Sequence, residues 1–186
     1  VEENCKGLVY IIRDPRDVCV SFSRHFNISI EESIKSLKNT YSSIHWKGKI
    51  NNNIELDKRP SSLISRWDTH TKSWTKAKWN VPRLIIKYEN LVYDKKNEIK
   101  KVINFFEKLY NFKFGNKQNL IENICITTDF DKFKSKEQES GFTESSRFSS
   151  FFSVGKKNQW KTFLNKNQIL LIENEFGETM KNYDYL

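Results

Sequence analysis

A guanidinium and a hydroxyl placed just behind an apolar strand can hold an anion, and this chain carries such a pair near its start. Leu8-Val9-Tyr10-Ile11-Ile12 has the composition of a buried strand of a parallel sheet, and Arg13-Asp14-Pro15 ends it. In open α/β sheets, ligands sit beyond the carboxyl ends of the strands. Arg13 stands at that edge, where a guanidinium can grip a phosphate through two parallel hydrogen bonds. Asp14 suits a helix N-cap and Pro15 the first turn. Val18, Phe22 and Phe26 recur every four residues, which predicts a helix to about Phe26. Ser21 lies on that helix and adds a hydroxyl donor. The competing reading pairs Arg13 with Asp14 or Asp17 and leaves Ser21 as an ordinary helix residue.

The elements that must hold these groups read as strands followed by helices. Ser29-Ile30-Glu31-Glu32 has the capping-box form, so a second helix is expected over residues 30–41. Residues 45–60 are polar and irregular, with Asn51-Asn52-Asn53 in their middle, and read as a surface loop. A third helix is expected over residues 62–78, with Leu63, Trp67, Thr71 and Trp74 near one face. Leu84-Ile85-Ile86-Lys87-Tyr88 is a second buried-strand candidate. Residues 95–109 form a strong amphipathic pattern, with Ile99, Val102, Ile103, Phe105, Phe106 and Leu109 on one broad side. Further helices are expected over 119–125, 128–139 and 166–181, whereas 140–159 are rich in Ser, Gly and Phe and lack periodicity. This order predicts an α/β layer architecture, and two strands do not make a stable sheet alone.

The bulk properties bound the function. A chain of 186 residues is enough for one domain with a sizeable core. Its formal charge is +9, from 32 Lys and Arg against 23 Asp and Glu, which suits an anionic partner, although excess lysine also simply coats a domain. Cys5, Cys19 and Cys125 are far apart and form no CxxC pair, which argues against a zinc site or a disulfide framework and fits a reducing compartment. The longest apolar runs, such as Leu8–Ile12 and the one at residues 169–172, are too short to span a bilayer, and no signal-peptide pattern opens the chain. The chain begins Val1-Glu2-Glu3-Asn4-Cys5, without Met, and reaches a strand almost at once, so it is expected to be a fragment or a processed product.

Tyr10-Ile11-Ile12-Arg13-Asp14-Pro15-Arg16-Asp17-Val18-Cys19-Val20-Ser21 resembles the nucleotide-binding strand–helix segment of the sulfotransferases that use 3'-phosphoadenosine 5'-phosphosulfate (PAPS). The resemblance implies that Arg13 and Ser21 bind the 3'-phosphate. Three later segments stand in the family's order. Leu84-Ile85-Ile86-Lys87-Tyr88-Glu89-Asn90-Leu91 resembles the strand ending in Tyr-Glu-Asp, which implies a nucleotide contact for Tyr88. Thr127-Thr128-Asp129-Phe130 resembles the stretch that packs on the adenine, with Thr128 and Phe130 at its contact positions. A phenyl ring stacked on a purine is worth about 1–3 kcal/mol. The segment from Phe151 to Lys161 resembles the glycine-bearing loop that wraps the 3'-phosphate: Gly155, Trp160 and Lys161 match, and Phe151 and Phe152 take the adenine-side positions. This loop departs from the family. Ser153 and Val154 replace its Arg-Lys pair, Asn158 its second Gly, and Gln159 its Asp. Lys156 and Lys157 are expected to restore the positive charge, as point charges and not as two-pronged clamps.

The resemblance covers residues 8–185 and implies an α/β fold, a P-loop-like parallel sheet flanked by helices, incomplete because the N-terminal strands are missing. Residues 1–186 would then be the C-terminal portion of a single sulfotransferase domain. It further implies a cytoplasmic enzyme with PAPS as co-substrate, no metal, and a small-molecule or glycan acceptor whose pocket residues 45–60 and 137–148 help to shape. The family's 5'-phosphosulfate loop and its histidine base would precede Val1, and His25, His45 and His70 do not fall at the base position, so no catalytic residue is assigned. Lys161-Thr162-Phe163-Leu164-Asn165-Lys166 departs from the family's Lys-Thr-Val-Glu dimer signature and leaves the oligomeric state open. A second reading is a non-catalytic nucleotide or polyanion-binding module, which the lost Arg-Lys pair favours. A nucleic-acid binder would fit the charge and the 14% aromatic content, but no nucleic-acid motif is present.

Overall fold

A computed structural model describes the protein over residues 5–39, 42–44, 62–76, 78, 80–146 and 148–186; the expected surface loop at 45–60 lies outside them. The element order is β1 (Leu8–Ile12), α1 (Pro15–Phe26), α2 (Ile30–Lys38), β2 (Ser42–Ile44), β3 (Ser62–Ile64), α3 (Trp67–Thr75), β4 (Arg83–Lys87), α4 (Tyr88–Tyr93), α5 (Lys95–Tyr110), α6 (Lys117–Thr127), α7 (Phe130–Ser140), α8 (Trp160–Phe163) and α9 (Lys166–Asn182). Strands β1 and β4 pair in parallel, Leu8 opposite Arg83 and Ile12 opposite Lys87, so their carboxyl ends lie side by side. Helices flank this small parallel sheet.

Local chemistry explains where the helices begin and end. The Asp14 carboxylate accepts the Arg16 N–H and Pro15 occupies the first turn of α1, which closes on Asn27 in the left-handed region at φ 53°. Ser29 and Glu32 form the reciprocal capping box of α2. Asp94 caps α5, Asp129 caps α7, and Asn165 with Gln168 caps α9.

The main core joins the end of β1 to α1, α2, α3 and α9 through Ile12, Cys19, Val20, Ile34, Leu37, Trp67, Leu164, Ile172, Phe176 and Met180. Each large side chain removed from water there contributes about 1.5–3 kcal/mol. Helix α5 lies against β4, where Ile86 and Ile103 are buried.

A polar network locks the carboxyl ends of both parallel strands. Arg16 grips Asp14 through Nε (3.0 Å) and Nη2 (2.7 Å), donates to Glu173 at 2.5 Å and to the Tyr185 carbonyl at 2.7 Å, and lies over the Trp160 ring. Glu89, just after β4, accepts the Asp14 N–H at 3.0 Å and the Tyr185 hydroxyl at 3.0 Å. Burial, and then the Glu89 charge, push the Tyr185 hydroxyl far above its ordinary range, so it stays a donor.

Three expectations change. The parallel strands are not buried throughout: Val9 is 38% exposed and Ile11 54%. Successive strand residues face opposite ways; Tyr10 and Ile12 turn into the main core, while Val9 and Ile11 turn to the other face. The third helix starts at Trp67 and not at residue 62, because the backbone of Ser62–Ile64 pairs antiparallel with that of Ser42–Ile44. The second helix stops at Lys38, short of residue 41.

Candidate functional site

The site is built on one face of α1. Asp17, Ser21 and Arg24 follow at helical spacings of four and three and share that face. Asp17 is 1% exposed, yet among the described residues its carboxylate faces no cation closer than Arg13 Nη2 at 4.0 Å. It is satisfied instead by two backbone donors of a distant loop: Asn158 N–H at 2.7 Å and Trp160 N–H at 2.9 Å. A buried carboxylate is tolerated only when hydrogen-bonded in this way. The consequence is that the loop containing Gly155 is fastened beside α1 and the end of β1.

Arg13 sits where these three pieces meet. Its guanidinium lies 4.3 Å from the centroid of the Tyr88 ring, and Nη2 is 3.4 Å from the Lys156 carbonyl. Its Nε is buried and has no hydrogen-bond partner. A buried guanidinium N–H without an acceptor is costly, and Arg13 therefore retains an unused donor. Tyr88 opens α4 directly after β4; burial, opposed by Arg13, raises its hydroxyl above the ordinary value. Among the described residues no group hydrogen-bonds to the Ser21 hydroxyl.

Arg13, Ser21, Tyr88, Phe130, Phe151, Phe152 and Gly155 all line one cavity of about 460 Å³. The sequence-predicted residues are thus largely brought together, from four separate stretches of chain. Three are not. Thr128 ends α6, off the cavity wall, with its hydroxyl donated to the Ile124 carbonyl at 2.6 Å. Neither Lys156 nor Lys157 lines the cavity. The Lys156 side chain is exposed and only its carbonyl turns to Arg13, while the Lys157 ammonium lies 4.7 Å from the centroid of the exposed Tyr93 ring. The expected replacement of the lost Arg-Lys charge by these two ammonium groups is not what the geometry presents.

Gly155 adopts φ +62°. A Cβ there would lie 2.5 Å from Cε2 of Phe130, so only glycine lets the loop backbone close on that ring. Asn158 is also left-handed, at φ 60°. It keeps the backbone shape that a glycine would allow, since Asn is among the few side chains that tolerate this region.

The far wall is aromatic. Phe152 stacks on Phe133 at 5.2 Å and meets Phe130, Phe142 and Phe151 edge-on or tilted at 6.1 Å, 5.1 Å and 5.2 Å, separations that suit aromatic pairs. One buried carboxylate holds this wall. Glu137 of α7 accepts the Phe151 N–H at 2.6 Å, the Phe152 N–H at 2.9 Å and the Ser145 hydroxyl. Burial works against its charge, but the hydrogen bonds from Ser145, Phe152 and Phe151 outweigh it and hold the carboxyl below its ordinary range. His25, also on the cavity wall, is pushed down by burial, with Glu144 and Glu137 opposing, which keeps the imidazole neutral at pH 7.

Sequence reasoning missed Arg24, Gln159, Phe133, Phe142 and Glu137. Arg24 was within reach of it, since a residue three after Ser21 shares its helix face. Glu137 gave no signal, because it works through backbone N–H groups that any residues would supply. Among the described residues no group of His, Cys, Asp and Glu could hold a metal ion, and no helix is long and apolar enough to cross a membrane.

With this geometry in place, comparison with known proteins defines the class. The model of the sulfotransferase domain matches residues 1–184, and the chain belongs to that family. It is 27% identical over 168 residues to sulfotransferase 1B1 of Canis lupus familiaris, covering 87% of this chain and 50% of that protein. It is 25% identical to human sulfotransferase 1C2, covering 94% and 52%. The chain thus spans about half the length of the curated relatives it matches. In fold it is similar to a mouse sulfotransferase complexed with PAP, at a TM-score of 0.63 and 19% identity, covering 95% of this chain and 59% of that one. A retinol dehydratase in complex with androsterone and the inactive cofactor PAP gives 0.60 at 19% identity, covering 93% and 47%.

Two outcomes follow from the packing. Gly155→Ala, which combines a left-handed backbone with a ring clash, is expected to cost at least roughly 1–3 kcal/mol in urea denaturation; a stability equal to that of the parent would mean the loop does not close on Phe130. Because the Glu137 carboxyl is held low, its clasp contributes fully above the ordinary carboxylate range and is lost only as the pH falls through the lowered value. Amide NMR shifts of Phe151 and Phe152 should therefore be flat from neutral pH down through the ordinary carboxylate range and move together only in stronger acid. This step should vanish in Glu137→Gln, and titration at or above the ordinary range would contradict the clasp.

Proposed function

We propose that the cavity receives the 3'-phosphate and the adenine of PAPS, and that the whole protein transfers the sulfuryl group of PAPS to a hydroxyl or amine acceptor. The observation that carries this reading is Arg13: a guanidinium with a buried, unpartnered Nε, on the wall of a cavity whose other wall is stacked phenylalanine. That is an anion end and a base-stacking end in one space. The matched family and the PAP bound in both solved neighbours support it.

In the transfer, the acceptor heteroatom bonds to sulfur while the bond from sulfur to the phosphate oxygen breaks, the nucleotide leaves as PAP, and the acceptor's proton passes to a general base. Such a reaction gains most from positioning and charge stabilisation. Arg13 and Ser21 would fix the 3'-phosphate, Tyr88 would buttress Arg13, and Phe130, Phe151 and Phe152 would hold the adenine. These groups set register and binding energy, and none is assigned to proton transfer. The acceptor is proposed to be a small molecule, the site to belong to a single domain, and the compartment to be the cytoplasm, in keeping with three free thiols.

Calorimetric titration with PAP tests the assignment. The full-length protein should bind PAP, and Arg13→Ala should weaken binding about tenfold to hundredfold, the worth of one charge-assisted hydrogen bond. Equal affinity in the variant would remove Arg13 from the site. PAP binding without transfer from labelled PAPS to phenol or amine acceptors would favour a non-catalytic nucleotide module.

A further inference from the structure

The loop before α8, residues 153–159, carries no arginine, and neither of its lysines lines the cavity. A phosphate monoester carries about −1.5 to −2 charge at neutral pH, and Arg13 alone, with Asp17 at 4.0 Å, does not balance it. A second guanidinium is nonetheless on the cavity wall. Arg24 stands one helical turn after Ser21 on α1 and lines the same space as Arg13, Ser21 and Gly155. Its partners are neutral: Nη1 donates to the Gln159 side-chain oxygen at 3.1 Å, and the guanidinium lies 5.2 Å from the centroid of the Phe163 ring. Among the described residues no carboxylate forms an ion pair with it.

We infer that Arg24 is the second cation for the terminal phosphate monoester of the nucleotide, supplied by helix α1 in place of the glycine loop. Gln159 aims it. The amide of Gln159 bridges from the Lys156 carbonyl, to which Nε2 donates at 3.0 Å, to Arg24, to which it offers Oε1. A glutamine does this without a charge, so Arg24 keeps its full positive charge for a ligand. An aspartate at the same position would pair with Arg24 and cancel that charge.

The inference rests on the nucleotide reading, and the test separates the two. Affinities of the full-length protein for PAP and for 5'-AMP, which lacks the 3'-phosphate, are measured by calorimetry on the parent and on Arg24→Gln. The parent should prefer PAP; no preference would end the nucleotide reading and this inference with it. In Arg24→Gln, PAP affinity should fall about tenfold to hundredfold while 5'-AMP affinity changes less than about threefold. A PAP preference within about twofold of the parent's would overturn the role of Arg24 and leave the reading intact. Loss of 5'-AMP binding as well would place Arg24 in the fold and not at the phosphate, and would equally overturn it.

Discussion

Two hydrogen bonds to the Asp17 carboxylate are the constraint on which the rest of the site depends. They join positions 141 and 143 residues apart in the chain and place the Gly155 loop against the helix that follows β1. Burying a carboxylate costs several kcal/mol unless it is hydrogen-bonded. Here the acceptor is charged and the donors are backbone amides, so the bonds are of the stronger, charge-assisted kind. They fasten the loop that carries Gly155 beside the strand end that carries Arg13.

Around that joint, rigidity is supplied in layers. Asp14 and Arg16 fix the turn after β1, Glu89 ties it to the end of β4, and Glu173 and Tyr185 bind it to the C-terminal segment. Arg13 is therefore held by neighbours on both sides in sequence and is left with little freedom. On the opposite wall, Glu137 performs for Phe151 and Phe152 what Asp17 performs for Asn158 and Trp160: a buried carboxylate shapes a loop by collecting its amides. The two ends of the cavity are thus held by the same physical device, one under the cationic end and one under the aromatic end.

What the sequence makes legible is what local chemistry decides. The cap at Asp14, the proline after it, the capping box at Ser29 and the glycine at 155 each act within a few residues, and the structure shows them as read. Pairings over long distances are legible only through the family resemblance, which gathers Arg13, Tyr88, Phe130 and Gly155 at one site. The β2–β3 ladder joins segments that look helical or irregular by themselves, so the third helix was read too long. Adjacency to Gly155 does not reveal where the Lys156 and Lys157 side chains point: neither lines the cavity, and the Lys157 ammonium lies over Tyr93. Asn158 looked like a lost glycine, whereas its φ of 60° keeps the same backbone shape. Arg24 was visible only once Ser21 was treated as a helix position with neighbours on its face.

The joint itself can be measured. Hydrogen exchange of the Asn158 and Trp160 amides should be slow in the parent protein and should accelerate by orders of magnitude in Asp17→Ala, while amides within α9 keep their protection. Rapid exchange of these two amides in the parent, or rates unchanged by the substitution, would show that the carboxylate does not hold the loop.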